Sequence, residues 1–222
     1  MRAPQAAQPV APGGGVSPGK PPLACRVDPF GALFASPARG GMFGNRGRKF
    51  HQALTQTVTG KPWASRQWIC CVLSFKGRRR EVWTKGYTEL FFLDEVTALA
   101  AGHRPCFECR RADAGRFAAC WQAAEGLARP PRAPEMDLVL HAERLALPKP
   151  ELSAIEAAAL PDGAVIASGG KAFAVRSGAA LPWSPEGYGA GVTPFAAKLL
   201  TPPSIVAALR RGFSPRWHAS AA

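Results

Sequence analysis

The sequence predicts an α+β fold, in which strands and helices occupy separate stretches of the chain. Three observations predict this class. Short runs of apolar and β-branched residues lie between glycine-, proline- or serine-containing turns, which is typical of strands. Other stretches place apolar residues at helical spacing next to residues that favour helix ends. Hydrophobic residues make up 47% of the 222 residues, which is enough to form a buried core. We expect a hairpin-plus-helices module, then a small antiparallel meander with a C-terminal helix.

Composition divides the chain into four regions. Residues 1–24 are rich in proline, glycine and alanine and have few large apolar side chains, so a disordered tail is predicted. Residues 25–130 are predicted to form a basic α+β domain, residues 131–150 a linker, and residues 151–222 a small α+β C-terminal region. No apolar run reaches the roughly 20 residues that span a bilayer, and the amino-terminal stretch has no apolar signal segment. We therefore expect a cytoplasmic protein without a membrane partner.

The first predicted element of the basic domain is a hairpin. Residues 68–75 (Trp-Ile-Cys-Cys-Val-Leu-Ser-Phe) have a strand-like composition, residues 76–79 (Lys-Gly-Arg-Arg) favour a turn, and residues 80–84 are predicted to form the returning strand. Neighbouring side chains of a strand point to opposite faces of its sheet. Only one of the adjacent Cys70 and Cys71 can therefore face a given site.

Two helices are predicted after the hairpin. The first runs from Leu93 to Ala101, with two acidic residues in its first turn, where the helix dipole favours negative charge, and with Gly102 at its end. The second is predicted to begin at Asp113 as its N-cap. Its apolar residues recur at helical spacing, which indicates a face that contributes to the core: Phe117, Trp121, Ala124 and Ala128.

The C-terminal region contains both kinds of element. Ser153 to Glu156 form a capping box that opens a short alanine-rich helix. From Pro161 the pattern changes to short strands separated by glycine-containing turns, which predicts a meander ending near Trp183. A last helix is predicted from Thr201 to Arg211, because prolines suit a helix start and the following glycine suits its end.

A Cys-x-x-Cys pair, Cys106 and Cys109, follows the first of these helices. Three interpretations compete: half of a zinc site, two inert buried cysteines, and a redox dithiol. The redox interpretation requires the first cysteine at the start of a helix that follows a strand in a βαβ unit, whereas here a helix precedes the pair. We therefore place zinc first, inert cysteines second and redox chemistry third. Cys25 and Cys120 are interpreted as packing residues or free thiols.

Residues 91–110 resemble the zinc knuckle of the N-terminal metal-binding domain of Ada-type DNA-repair proteins. The shared features are Phe91-Phe92, an alanine-rich helix, and the run Ala-Gly-His-Arg-Pro-Cys-Phe-Glu-Cys-Arg over residues 101–110. The resemblance implies that Cys106 and Cys109 supply two zinc thiolates. In that family the other two ligands lie upstream and are separated by three residues, whereas Cys70 and Cys71 are adjacent here. The element that holds the family's methyl-accepting cysteine is missing, so the resemblance implies zinc binding without methylphosphotriester repair.

A structural zinc site uses four ligands. Cys106 and Cys109 are the first two, and we favour Cys71 over Cys70 as the third. His51, His103 or the other hairpin cysteine could provide the fourth, and His51 is our choice because His103 occupies a position that is aromatic in the Ada-type pattern. Zinc is thus the expected cofactor, and residues 25–130 are predicted to be a zinc-binding domain.

The second signal is positive charge. The chain has 28 Lys and Arg against 15 Asp and Glu, a net charge of +13, and residues 39–85 contain eleven Lys and Arg with Glu81 as their single acid. Such a concentration of positive charge attracts polyanions. Nucleic acid is therefore the expected partner, with Trp83 as a base-stacking candidate. The predicted phosphate contacts are Lys76, Arg78, Arg79, Arg80, Arg110 and Arg111.

Our first functional hypothesis is a zinc-binding protein with a basic face that contacts nucleic acid, in which the metal is structural. No catalytic residue is assigned, because no nucleophile, base and orienting group occur together in the sequence, and thiolate-rich zinc sites are usually structural. Two alternatives stay open. One is a DNA- or RNA-processing enzyme that uses a zinc-bound thiolate or the metal itself, and the other is a protein-interaction module whose partner is unknown.

Overall fold

The computed structural model describes residues 21–58, 60–78 and 81–222. Helices and strands are both present, which confirms the α+β class. Six strands form a mixed first sheet in the order β2-β1-β7-β3-β6-β8. Their bounds are β1 Arg26–Val27, β2 Leu33–Phe34, β3 Met42–Arg46, β6 Trp68–Cys71, β7 Leu90–Phe92 and β8 Arg104–Pro105. A separate two-stranded sheet pairs β4, His51–Gln52, with β5, Thr57–Val58.

The central strand of the first sheet is β3, which pairs antiparallel with β6 on one side and with β7 on the other. The approach to its neighbours is close at Gly44, where a Cβ would lie 2.3 Å from the carbonyl oxygen of Ile69 and 2.7 Å from the ring of Phe92. Only glycine fits there without displacing the backbone of β6.

The predicted hairpin is wrong in its second half. Residues 68–71 form the strand β6, and Lys76 and Gly77 form the predicted turn, with left-handed φ angles of 50° and 65°. The described residues 81–84 form no strand, and Trp83 instead occupies a turn with a φ of 57°. The strand β6 therefore pairs with β3 and β8 rather than with the chain that follows it.

The second sheet is the predicted meander with additions at both sides, in the order β13-β12-β11-β10-β14-β9. Antiparallel hairpins join β10, β11 and β12 through turns at Gly169-Gly170 and Ser177-Gly178, as the sequence predicts. The strand bounds are β9 Glu151–Leu152, β10 Val165–Ser168, β11 Lys171–Arg176, β12 Ala179–Ser184, β13 Gly187–Tyr188 and β14 Ala197–Leu199.

The described residues also form five helices and one short 3₁₀ helix. They are α1 Glu95–Ala100, α2 Arg111–Glu125, α3 Ala133–Leu145, α4 Ala154–Ala158, α5 Pro203–Arg210 and the 3₁₀ helix Ala219–Ala221. The predicted N-cap Asp113 lies inside the first turn of α2, which begins two residues earlier. Among the described residues, no helix is both long and apolar enough to cross a membrane.

The predicted linker, residues 131–150, contains the thirteen-residue helix α3. Its Met136 and Leu140 are buried with Phe117 of α2 and Ile205 of α5 in one apolar cluster. A second cluster joins α1 to strands β10, β11 and β12. These clusters contain residues from both sides of the predicted linker, so α1 and α2 pack against the C-terminal region.

Candidate metal centre

Parallel pairing of β6 and β8 brings the first two cysteines of the site together. Ile69 is level with Arg104, and Cys70 is level with Pro105. The next step along both strands places Cys71 beside Cys106, whose amide donates to the carbonyl of Cys70 over 3.0 Å. Residues level with each other in neighbouring strands project from the same face of a sheet, so the two sulfurs face the same side.

The chain then turns sharply after Cys106 and brings Cys109 back to the same point. The amide of Arg110 donates to the carbonyl of Cys106 over 3.0 Å, and the amide of Glu108 donates to the sulfur of Cys106 over 3.4 Å. The sulfurs of Cys71, Cys106 and Cys109 all lie within 4.8 Å of one another. Three sulfurs at this separation can hold a single metal ion.

Hydrogen bonds among the three cysteines shift the pKa values of their thiols. The pKa of Cys106 is lowered to about 5, first by a hydrogen bond from the Cys71 thiol and then by the amides of Cys109 and Glu108. The pKa of Cys109 is lowered as well, again mainly by the Cys71 thiol. The pKa of Cys71 is raised because its proton is held by these two sulfurs. Metals bind the thiolate form, so sulfurs surrounded by hydrogen-bond donors are suited to ligation.

The other cysteine of the strand, Cys70, points away from this cluster. It is fully buried on the opposite face of β6, in an apolar cluster with Met42 and Phe92. Burial, as the main cause, raises the pKa of its thiol. The expectation that only one of the adjacent cysteines faces the site agrees with this arrangement, and Cys71 is that residue.

The structure does not bring His51 to the sulfur cluster. Its ring is stacked on Trp83 with the centroids 5.5 Å apart, its Nδ1 is 2.8 Å from the Thr88 hydroxyl, and its Nε2 is 3.2 Å from the carbonyl of Thr84. Both ring nitrogens are therefore occupied by the loop that follows β6. The choice of His51 as fourth ligand is corrected on this geometry.

His103 is not near the sulfurs either and has the packing role that the sequence suggests. The ring is fully buried between Trp68 and Phe92, at 4.9 and 4.7 Å, and its Nε2 accepts a hydrogen bond from Arg46 over 3.3 Å. Burial lowers the pKa of His103 well below its usual value, and the nearby charges of Arg46 and Arg144 lower it further. The ring is therefore neutral.

Two buried ion pairs fix the knuckle to its surroundings. Arg104, next to Pro105, makes a bidentate pair with Asp137 of α3 at 2.9 and 2.8 Å. Arg110, which follows Cys109, makes a bidentate pair with Glu95 of α1 at 2.7 Å for both bonds. Paired hydrogen bonds of this type restrain direction as well as distance. The loop that carries Cys106 and Cys109 is thus held between two helices.

The three sulfurs face a pocket of about 890 Å³. Phe43 and Ile69 of the first sheet form an apolar wall, and Phe75 lies on the loop that follows β6. Its polar lining includes Asn45, Gln67, Arg78, Glu81, Tyr87, Glu89 and Glu108. The volume is in the range that binds small organic molecules in other proteins.

The predicted phosphate contacts differ in exposure. Lys76, Arg78 and Arg111 are exposed, and Arg78 makes an ion pair with Glu108 at 2.7 Å. Arg110 is 4% exposed and is paired with Glu95 and Asp113, so its assignment to nucleic acid is corrected. Arg79 and Arg80 lie outside the described residues. Trp83 is completely buried and donates to the carbonyl of Glu89 over 2.8 Å, so it is not available for base stacking.

Two residues of this region were not predicted from the sequence. Asp137, the partner of Arg104, lies in the segment interpreted as a linker, although Met136 and Leu140 at helical spacing were a signal for α3. Glu89 lines the pocket. In the sequence it precedes the Phe91-Phe92 motif, and nothing in that position indicates that its side chain faces a pocket. A buried acid of this kind becomes recognisable only when the strand register is known.

Comparison of the chain with protein-family models, with curated proteins and with solved structures found no match. The resemblance of residues 91–110 to the Ada-type knuckle therefore stays a prediction.

Proposed function

We propose that the protein binds one zinc ion through the thiolates of Cys71, Cys106 and Cys109. The observation that carries this proposal is the convergence of the three sulfurs within 4.8 Å from two strand ends and one tight turn. The Cys-x-x-Cys spacing and the amide donor to the Cys106 sulfur support it, because both favour a pair of thiolates aimed at one ion.

Zinc fits this donor set better than the competing interpretations of the cysteines. A redox dithiol needs two sulfurs, and a third sulfur within the same distance has no part in that chemistry. Sulfur-rich sites select zinc, copper(I) or iron–sulfur clusters, and zinc is the usual ion at a Cys-x-x-Cys knuckle that is completed by a more distant cysteine. All six cysteines are free thiols, so no disulfide competes for the ligands.

The ion would join parts of the chain that lie far apart in sequence. Cys71 ends β6, whereas Cys106 and Cys109 follow β8, and these two short strands form the edge of the first sheet. Strand β8 has two residues, which provide few ladder hydrogen bonds of their own. Metal coordination would therefore stabilise this edge and the knuckle, since binding free energy that depends on the folded site contributes to folding.

The test is the metal content of purified protein and of single serine variants. We expect one zinc per chain in the parent protein and loss of that zinc in Cys71→Ser, Cys106→Ser and Cys109→Ser. The matched control is Cys120→Ser, a half-buried cysteine of α2 whose thiol donates to the carbonyl of Arg211. A folded parent protein without metal, or zinc retained in all three ligand variants, would contradict the proposal.

A second candidate function is contact with nucleic acid, which the exposed charge favours. In the described part of residues 39–85, eight basic side chains are exposed: Arg39, Arg48, Lys49, Lys61, Arg66, Lys76, Arg78 and Lys85. The same stretch has a single acid, Glu81. Phosphate contacts would release counterions, so binding would weaken steeply with salt.

This candidate is tested by titrating a random duplex and a single strand at two salt concentrations. We expect Lys76→Glu and Arg111→Glu to weaken binding and to reduce its salt dependence by roughly one counterion or more each. Lys171→Glu on the second sheet is the matched control and should change neither. Absence of binding at low salt would exclude this function.

A further inference from the structure

Among the described residues, three cysteine sulfurs form the cluster, and no fourth Cys, His, Asp or Glu ligand atom lies within the same distance of all three. Within the described residues, the only group of Cys, His, Asp and Glu ligand atoms that converges is Cys71, Cys106 and Cys109. The remaining positions, residues 1–20, 59, 79 and 80, contain no Cys, His, Asp or Glu in the sequence. A zinc ion with three protein ligands keeps its fourth position for water or a bound molecule, as catalytic zinc sites do.

The fourth position faces space that a molecule could occupy. All three cysteines line the pocket of about 890 Å³, and the alternation of β3 and β6 places Phe43 and Ile69 beside them on the same face of the sheet. Phe107 of the knuckle and Phe75 of the following loop also line it. A metal at one end and aromatic walls along the sides favour a ligand with a flat apolar body.

Glu89 lies at the other end of this face. Phe43 of β3 lies opposite Cys71 of β6 on one side and opposite Phe91 of β7 on the other. Glu89 comes two residues before Phe91 in the chain, so it lies two strands across the sheet and two residues along it from Cys71. Strand spacing and rise per residue give a separation of roughly 12 Å between the two Cα atoms. A compact molecule could therefore reach from the metal to the carboxylate.

One carboxylate oxygen of Glu89 accepts a hydrogen bond from the protein, and the other can accept one from a ligand. The residue is 5% exposed, and its Oε2 accepts the amide of Trp83 over 3.0 Å. Its Oε1 forms no hydrogen bond with the residues that the structure describes, although the side chain lines the pocket. A carboxylate oxygen that lines a pocket in this way can accept a hydrogen bond from an N–H donor of a bound molecule, and that bond is strengthened when the donor is charged.

We propose that the fourth metal position is an open coordination site at one end of a small-molecule pocket, and that Glu89 at the other end binds an N–H donor of the same molecule. This inference rests on the proposed zinc site. The ligand class is a flat, partly apolar molecule with a sulfur or nitrogen donor for the metal at one end and an amidine or amine at the other. The metal sets the orientation, and Glu89 selects against an anionic far end.

The probes are two molecules that differ only at the far end, 4-mercaptobenzamidine and 4-mercaptobenzoate. Cobalt(II) replaces zinc, because its thiolate charge-transfer absorption reports the cysteine ligands and its d–d absorption reports the fourth ligand. We expect both thiols to change the d–d absorption and the benzamidine to bind at least roughly ten-fold more tightly, as a charge-assisted hydrogen bond would give.

The variant Glu89→Gln should reduce this preference to near equality while cobalt loading is unchanged. Glu186→Gln, an exposed glutamate outside the pocket, is the matched control and should keep the parent preference. If Glu89→Gln does not fold, the role of Glu89 is tested by the parent protein alone, from its affinities for 4-mercaptobenzamidine and 4-mercaptobenzoate. Equal affinities of the parent for the two probes, or an unchanged preference in a folded Glu89→Gln variant, would overturn the role of Glu89.

The outcomes separate this inference from the proposed function. Absence of the thiolate charge-transfer absorption would contradict the zinc site itself. Normal thiolate absorption with a d–d absorption that neither probe alters would leave the zinc site intact and show that its fourth position is closed. Cobalt released from the protein during the titration, measured as metal retained after desalting, would likewise count against a stable open site.

Discussion

The buried pair of Arg110 and Glu95 provides the sharpest test of the structural argument. Glu95 is fully buried and accepts three hydrogen bonds, two from Arg110 at 2.7 Å and one from the amide of Arg216 at 2.9 Å. Arg110 also reaches Asp113 at 2.9 Å. Burial alone would lower the pKa of Arg110, but the hydrogen bonds and charge of Glu95 raise it, so the guanidinium is charged.

We predict that Arg110→Met destabilises the protein by about 3–5 kcal/mol, because it leaves the Glu95 carboxylate buried without a cation. Glu95→Gln should cost less, about 3 kcal/mol, since Arg110 keeps its partner Asp113. The double variant should cost less than the sum of the two single changes, as groups in direct contact are not independent. For a protein of this length, Arg110→Met should lower Tm by roughly 6–20 °C.

The assay is urea unfolding of the metal-loaded protein, with zinc content measured for each variant to show that the knuckle is intact. Arg129→Met is the matched control, because its pair with Glu135 is exposed and screened by solvent, so its loss should change the stability far less. A loss below about 1 kcal/mol for Arg110→Met would refute the buried pair. Exact additivity in the double variant would refute the coupling.

Three further predictions follow from the structure. Gly44→Ala should destabilise the first sheet by about 2 kcal/mol or more, since its Cβ would overlap the backbone of β6. By contrast, Gly115→Ala, in an exposed and uncrowded position of α2, should stabilise by about 0.5–1 kcal/mol; both are measured by urea unfolding. Burial lowers the pKa of His103, so below pH 6.5 the unfolded state binds more protons than the folded state. The free energy of unfolding should therefore decrease by up to about 1.4 kcal/mol for each unit by which the pH is lowered. His103→Phe should flatten that slope in unfolding curves recorded between pH 6.5 and 5, and an unchanged slope would assign it to other groups. A zinc chelator should lower Tm of the parent protein but leave Cys71→Ser unaffected in thermal melts; equal shifts would indicate an effect unrelated to the site.

Local elements of the fold could be predicted from the sequence because their signals are local. The helix α1 has Asp94 accepting the amide of Thr97, and Gly102 follows it with a φ of 78°. The turns of the meander are marked by Gly169-Gly170 and Ser177-Gly178. The wrong prediction, a returning strand at residues 80–84, arose because a turn at Lys76-Gly77 does not determine which strand pairs with β6. Its partner β8 is more than thirty residues away.

The alternation of side chains along a strand was the part of the site geometry that the sequence could predict. That rule places Cys70 and Cys71 on opposite faces, but only the register with Pro105 determines that Cys71 is level with Cys106. His51 failed as a candidate because the loop after β6 supplies partners for both ring nitrogens. Arg110 failed as a surface residue because its partner Glu95 is fifteen residues upstream, and burial of that pair depends on how α1 and α2 meet.

Because Cys70 and Cys71 are adjacent, the proposed metal could be bound in two different alignments of β6. A slip of β6 by one residue would exchange the two cysteines between the faces of the sheet and would still offer a sulfur to Cys106 and Cys109. That misaligned state would, however, place Gln67 where Trp68 now contacts His103. Zinc alone cannot distinguish the two alignments, and the aromatic contacts decide which one persists. Ion capture before these contacts form would therefore trap a misfolded edge.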